Sequence, residues 1–135
     1  MGINDDTEEN FGCEKCWPAM ADAAWQAGSM LRPVAELISE SHFHTVIRSC
    51  RACSQWFVSV FTETIDWADG EDPQHWIRLP ITATEAARLI GLGDSITEED
   101  LNSLPSNRRS LHRDFPKGES PQNSWANGIT IYAHD

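Results

Sequence analysis

The sequence predicts a small α+β domain: an antiparallel sheet of three to four strands, flanked by helices near the N-terminus and in the middle of the chain. Its 135 residues, 40% of them hydrophobic, suit one packed core of ordinary size. β-branched and aromatic residues concentrate on both sides of a four-residue turn, and helix-favouring segments precede and follow them. We therefore expect a single domain over residues 12–135, preceded by a flexible acidic tail over residues 1–11.

The N-terminal third predicts two short helices. Ala19 to Gln26 is rich in Ala, and Pro18 suits the first turn of a helix. Leu31 to Ser39 carries apolar residues at helical spacing, with Pro33 in its first turn. Both segments are expected to pack beside the sheet.

The next segment predicts a β-hairpin. His42 to Ser49 and Ser54 to Trp67 are rich in β-branched and aromatic residues, and Cys50 to Cys53 forms the reversal between them. With the two cysteines opposite each other, Ile47 faces Trp56 and one side of the hairpin is apolar throughout. This sorting predicts a sheet with one covered face.

The middle of the chain predicts one more strand and two helices. Gln74 to Leu79 is expected to be the third strand, ended by Pro80. Thr82 to Glu85 matches a capping box at the start of a helix, and Thr97 starts a second helix that runs to about Leu104.

The C-terminal region predicts a long loop and a last strand. Ser106 to Asn127 is polar and is expected to be irregular. Gly128 to Ala133 alternates enough to predict a final strand at the sheet edge.

The charge balance restricts the class of partner. The chain has 21 acidic and 10 basic residues and a net charge of −11, and its longest basic cluster is Arg108–Arg109. Nucleic-acid binding needs Lys and Arg to displace counterions, so nucleic acid is not expected. No segment approaches the roughly 18 apolar residues of a membrane span, so no membrane association is expected. A protein with a basic surface suits this field better.

Cysteine usage and the N-terminus predict a cytoplasmic location. Residues 1–10 hold four acidic side chains and lack the cationic and apolar regions of a secretory signal. In a reducing compartment cysteines stay free, so they indicate metal ligands before disulfides.

Two Cys-x-x-Cys pairs form the strongest motif, Cys13 with Cys16 and Cys50 with Cys53. A tight turn lets both thiolates of a pair reach one tetrahedral ion, and two such turns leave no open position for water. The pattern resembles the zinc-ribbon, or zinc-knuckle, class of structural sites, in which one knuckle lies at the tip of a β-hairpin. That resemblance implies a structural Zn²⁺ on the four thiolates. Ribbon knuckles usually carry Gly after the second Cys, where this chain has Trp17 and Ser54.

Two enzymatic alternatives remain open at this stage. Cys13–Cys16 precedes a predicted helix, whose N-terminus lowers a thiol pKa, so a thiol–disulfide oxidoreductase is one alternative. A thioredoxin-like fold also needs a strand before the motif, and the acidic tail predicts none. The other alternative is a small hydrolase or second metal site built from His42, His44 and Glu63, which share one predicted sheet face. Partly exposed polar side chains of a sheet explain the same trio.

The loop after the hairpin predicts a binding surface. A calcium loop with Gly70 at its sixth position would place Ile65 and Trp67 at ligand positions, so that motif fails. A solvated acidic tip with tryptophans at its edge remains, because Trp is common at interfaces. The candidate binding residues are Asp66, Trp67, Asp69, Asp72 and Trp76. We expect a zinc-stabilised interaction or regulatory module rather than an enzyme.

Overall fold

The computed structural model describes residues 11–134, which form one six-stranded antiparallel sheet with helices against its faces. The α+β class is confirmed, and the strand number of three to four is corrected to six. Each strand pairs with its neighbour in sequence, so the sheet is a meander. The strands are β1 (Leu31–Glu40), β2 (Phe43–Cys50), β3 (Trp56–Glu63), β4 (Gln74–Ile81), β5 (Arg109–Phe115) and β6 (Gln122–Asn127). The helices are α1 (Ala21–Gln26), α2 (Ala83–Leu92) and α3 (Glu98–Asn102), with 3₁₀ turns at Ala27–Met30 and Gly93–Ser95.

The first face of the sheet carries the larger hydrophobic core. Alternate side chains of β2, β3 and β4 point to this face, where α2 and α3 cover them. Ile47, Val58 and Leu79 are fully buried there, as is Leu89 of α2. Helices α2 and α3 therefore cover the middle strands on this face.

α2 begins with the capping box that the sequence predicts. The Thr82 hydroxyl accepts a hydrogen bond from the Glu85 amide, and the Glu85 carboxylate accepts one from the Thr82 amide at 2.9 Å. The same carboxylate pairs with the buried Arg108 guanidinium at 2.7 Å. One side chain thus starts the helix and fixes it to the segment before β5.

The second face of the sheet is covered at one end by residues 11–30. Trp17, Ala24 and Leu31 are buried there against Phe57 and Leu111. The predicted acidic tail lies outside the described residues except for Phe11, which is buried under the Arg108 guanidinium, with Cζ 4.7 Å from its ring centroid. The remainder of this face is left as an open cleft.

The predicted helix over Leu31 to Ser39 is wrong, because this segment forms β1. Apolar residues at Val34, Leu37 and Ile38 fit helical spacing only because β1 is irregular. Its register against β2 shifts between Pro33 and Ala35 and again between Glu36 and Ile38. Each shift breaks the alternation by which a regular strand is recognised, and Pro33 is tolerated because β1 is an edge strand.

The hairpin of β2 and β3 is confirmed with a corrected register. Ile47 pairs with Val58, and Ser49 rather than Ile47 pairs with Trp56. The turn is longer than expected, because the Cys50 amide bonds the Gln55 carbonyl at 2.9 Å. A displacement by two residues keeps every side chain on its expected face, since the side-chain period of a strand is two.

The C-terminal region differs most from expectation. Within residues 106–127, predicted to be irregular, β5 and β6 form, and the predicted strand over 128–133 has no strand assignment. Among the described residues, no helix is long and apolar enough to cross a membrane.

Candidate functional site

The four cysteines come together at one end of the second face. Cys13 Sγ lies 3.7 Å from Cys16 Sγ and 3.9 Å from Cys50 Sγ, and Cys16 Sγ lies 3.8 Å from Cys53 Sγ. All four sulfurs lie within 4.8 Å of one another. Sulfurs placed 2.3 Å from a tetrahedral metal would be about 3.8 Å apart. The cluster therefore has the size of a four-thiolate metal site, well beyond the 2.05 Å of a disulfide.

Two tight turns present these sulfurs. In the first, the Cys13 carbonyl accepts hydrogen bonds from the Cys16 amide at 3.2 Å and the Trp17 amide at 2.7 Å. In the second, the Cys50 carbonyl accepts one from the Ser54 amide at 3.0 Å. Ser54 has φ 68°, the left-handed conformation for which glycine is favoured. The second knuckle thus adopts a glycine-like backbone without a glycine.

Backbone amides also point at the sulfurs. Cys50 Sγ accepts hydrogen bonds from the amides of Ala52 at 3.3 Å and Cys53 at 3.5 Å. Burial raises the pKa of Cys50, but these amide hydrogen bonds and those from the Cys16 and Cys53 side chains together outweigh it and lower that pKa to about 7. Burial dominates at Cys16 and raises its pKa. The arrangement favours a thiolate at Cys50, the form that binds metals.

Gln55 joins the two knuckles to the sheet, a role that the sequence analysis missed. Its side-chain oxygen accepts a hydrogen bond from the Gly12 amide at 3.0 Å. Its side-chain amide donates to the carbonyls of Trp56 and Ile81, both at 2.8 Å. A lone Gln after a cysteine knuckle carries no motif, so no sequence signal marks this role.

The predicted binding loop lies between β3 and β4. Trp67 is 85% exposed, while Trp76 on β4 is half-buried against Phe61, with their ring centroids 5.2 Å apart. These two tryptophans therefore belong to different surfaces.

The carboxylates of this loop have different environments. Asp66 is partly buried and accepts hydrogen bonds from three loop amides, those of Ala68, Asp69 and Glu71. Lys117 pairs with Asp66 at 2.9 Å and also with Asp69. The Asp72 carboxylate bonds the Asp66 amide at 2.7 Å. Asp66 and Asp72 therefore shape the loop, whereas Asp69 and Glu71 are exposed.

The proposed histidine site is only partly assembled. His42 Nδ1 lies 2.9 Å from Glu63 Oε1, and the Gln74 side chain donates to Glu63 Oε2 at 2.8 Å. These bonds lower the pKa of Glu63, the one from Gln74 first. His44 instead contacts Phe61 in the cleft. The trio is thus divided: His42 and Glu63 form a hydrogen-bonded pair, whereas His44 lines the cleft.

A serine–histidine pair also occurs on β5, where the sequence analysis expected a loop. Ser110 Oγ lies 2.9 Å from His112 Nε2. Ser110 is fully buried and His112 is buried, so no substrate can reach the hydroxyl. Burial lowers the pKa of His112, which favours the neutral imidazole. The pair is part of the core.

A cleft on the uncovered part of the second face was not foreseen. We call it the arginine cleft, a cavity of about 570 Å³. Its main lining side chains are Trp25, His44, Arg48, Phe61, Trp76 and Arg78. Alternation along β2 and β4 was the sequence signal for its floor, but the sequence did not show which part of this face the N-terminal segment would leave uncovered.

The chain matches no protein-family model, and no significant match to a curated protein or a solved structure is found.

Proposed function

We propose that this protein is a zinc-stabilised interaction module, in which Cys13, Cys16, Cys50 and Cys53 hold one structural Zn²⁺. The observation that carries the metal assignment is the sulfur geometry: three separations of 3.7 to 3.9 Å, with all four sulfurs within 4.8 Å, close to the spacing of a tetrahedral four-thiolate site. Four sulfurs fill the coordination sphere, so the ion would supply stability rather than chemistry. Four thiolates and no oxygen ligand suit zinc among the common divalent ions.

The surroundings of the first pair support metal binding over thiol–disulfide exchange. A reactive Cys-x-x-Cys pair uses the N-terminus of a following helix to lower its pKa. Here α1 begins only at Ala21 and has six residues, so it offers Cys13 and Cys16 little of that effect. Each pair also lies beside the other pair, which a two-cysteine redox motif does not require.

The exposed loop between β3 and β4 supports a protein-binding role. Trp67 at 85% exposure is the most exposed large hydrophobic residue of the described chain, and such side chains anchor interfaces. Asp69 and Glu71 are exposed beside it, within a chain of net charge −11. The proposed partner is therefore a protein with a basic surface that receives the indole, in the cytoplasm. Attraction between opposite charges would accelerate its association at low salt.

The metal part is tested by elemental analysis and native mass spectrometry of purified protein. One equivalent of zinc per chain is expected. One equivalent of iron with visible absorption would contradict the zinc assignment. Protein that stays metal-free after dialysis against zinc, with an unchanged melting temperature, would contradict a structural metal.

The interaction part is tested by comparing proteins captured from a lysate by wild type and by Trp67→Ala. Met20→Ala is the matched control, because Met20 is also exposed, at 71%, but lies near the start of α1. We expect basic proteins that Trp67→Ala loses, that Met20→Ala retains and that high salt releases. Equal capture by Trp67→Ala would exclude this surface as the interface.

A further inference from the structure

We infer that the arginine cleft is a binding site for a small planar organic anion, an aromatic or conjugated carboxylate. The inference goes beyond the proposed interaction function and uses a different surface. The size of the cleft suits such a ligand, because small-molecule sites occupy roughly 300–1,000 Å³ and combine apolar walls with a few polar groups. The cleft has about 570 Å³ and both kinds of lining.

Strand pairing creates two parallel rows of side chains on the cleft floor. His44 pairs with Phe61, and Phe61 with Trp76, across β2, β3 and β4. Ring centroids in this row lie 5.7 Å apart for His44 and Phe61 and 5.2 Å apart for Phe61 and Trp76. The row is therefore an aromatic platform for a flat apolar body.

The adjacent row supplies positive charge. In this row Ser59 pairs with Arg78 across β3 and β4. Arg48 lies two residues along β2 from the Val46 that pairs with Ser59, and its Nε donates a hydrogen bond to Ser59 Oγ at 3.2 Å. Arg78 is only 8% exposed; its Nη1 donates to the Ala24 carbonyl at 2.8 Å. Its Nε is buried without a hydrogen-bond partner among residues 11–134. A buried donor left unpaired is costly, so the described part of the protein does not fully satisfy the hydrogen-bonding capacity of this guanidinium.

The charges of the two arginines are not matched by acids of the cleft. Arg48 and Arg78 form no salt bridge within the described chain, and no Asp or Glu of that chain lines the cleft. In a chain with twice as many acidic as basic residues, this local excess is notable. Burial, and then repulsion from Arg48, lower the pKa of Arg78 to about 10, against an attraction from Cys16. An anion between the guanidinium groups would relieve the repulsion, and a guanidinium binds a planar carboxylate in bidentate fashion.

The wall of the cleft comes from the segment that the cysteines hold. Trp25 of α1 lies edge-on to Trp76, with ring centroids 5.6 Å apart, and Arg78 Cζ lies 5.6 Å from the Trp25 ring. Gly28 lies close to Arg78 as well, because a Cβ at Gly28 would meet Arg78 Nη2 at 2.8 Å. The lack of a side chain at Gly28 thus leaves room for the Arg78 guanidinium, and a substitution there would move this group without changing the net charge.

The test uses 2-naphthoate as probe and the neutral amide 2-naphthamide as its isostere, measured by calorimetry on zinc-loaded protein. A ligand of this size binds with a Kd of about 1 mM at ordinary ligand efficiency. We expect saturable binding of the acid in this range or tighter, with the amide about tenfold or more weaker, since it loses a charge-assisted pair. Shifts of the Trp25 and Trp76 indole N–H signals, with Trp67 unshifted, would locate the site.

Two variants and one control test whether the cleft arginines bind the carboxylate of the probe. Arg48→Gln should weaken naphthoate binding about tenfold or more. Gly28→Ala should also weaken it, because the methyl group displaces Arg78 while the net charge is unchanged. Arg88→Gln removes a cation from α2 on the other face and should have no effect. If Arg48→Gln fails to fold by circular dichroism, Gly28→Ala decides. Equal binding of acid and amide, equal loss in Arg88→Gln, or no saturable binding up to about 10 mM acid would overturn the inference.

Discussion

The Sγ atoms of Cys13 and Cys50 lie 3.9 Å apart although the two residues are 37 positions apart in the chain. This proximity ties the N-terminal segment to the turn that follows β2. A shared metal ion would therefore close a long loop, and such a closure is worth most when the loop is long. The consequences can be measured separately from any partner or ligand.

Cys50→Ser should lose the metal and destabilise the domain. Zinc binding is worth about 10–16 kcal/mol in small peptides, comparable to the stability of an entire domain. Even a loss of about 3 kcal/mol would lower Tm by about 10 °C for a domain of this size. Differential scanning calorimetry and zinc analysis measure both effects. Met20→Ala, an exposed change outside the cluster, should leave both unchanged; a Cys50→Ser protein melting within a degree of it would refute a structural metal.

Ser54 should reveal the conformational requirement of the second knuckle. Its φ of 68° is unfavourable for a residue with a Cβ and most unfavourable for a β-branched one. Ser54→Val should destabilise the zinc-loaded domain by about 1–2 kcal/mol. Ser54→Gly should be neutral or stabilising by up to about 1 kcal/mol, since the relief of strain offsets the entropy of glycine in the unfolded chain. Urea denaturation of both variants tests this order, and the reverse order would contradict the left-handed conformation.

Glu85 should contribute more to the free energy of unfolding than Asp100, its counterpart in the other capping box. Asp100 occupies the same position in the box that starts α3, but it is only partly buried and pairs with no buried cation among the described residues. Glu85→Gln leaves Arg108 buried without its carboxylate and should cost about 3 kcal/mol. Asp100→Asn should cost only about 0.5 kcal/mol. Both amides keep an acceptor oxygen, so the difference in unfolding free energy isolates the ion pair. Equal costs would show that Arg108 is solvated.

His112 should contribute a pH dependence below about pH 6.5, the ordinary pKa of its side chain. Burial lowers its pKa in the folded state, so the unfolded state binds a proton more readily. The stability linked to the neutral imidazole is therefore complete above pH 6.5 and declines as the pH falls, by at most about 1.4 kcal/mol per unit. Three neighbours act on the His112 imidazole: Ser110 forms a hydrogen bond with it, Asp114 raises its pKa and His75 lowers it.

His112→Gln is expected to flatten this decline. Urea unfolding at pH 7.5, 6.5 and 5.5 on wild type and variant measures it, and the difference between the two curves cancels the contribution of the thiolates. Parallel curves would show that His112 does not titrate on unfolding.

The sequence was most informative where one local pattern had one structural solution. The capping box at Thr82 and the two Cys-x-x-Cys turns are fixed by neighbouring residues, so their placement followed directly. The helix predicted at Leu31 to Ser39 was wrong because two irregularities in β1 disturb its alternation, and strand pairing decided the structure there.

The C-terminal strands and the arginine cleft depend on contacts between distant segments. β5 buries Ser110 and His112 and so lacks an apolar alternation that a sequence reader would recognise. Arg109 Cζ likewise lies 5.8 Å from the ring centroid of Trp17, which is far earlier in the chain. Arg78 gains its role from Ala24, which lies 54 positions away. No local pattern encodes such pairings.

The meander order of the sheet has a consequence for how the chain folds as it is synthesised. Each strand meets its predecessor in sequence, so β1 to β5 can pair successively as they emerge from the ribosome. The segment before β1 is different, because the Trp125 indole donates to the Ala19 carbonyl and Asn123 to Asp22, more than 100 positions away. That segment cannot complete its packing until β6 has left the exit tunnel. The part of the described chain that is made first is thus among the last to reach its final position.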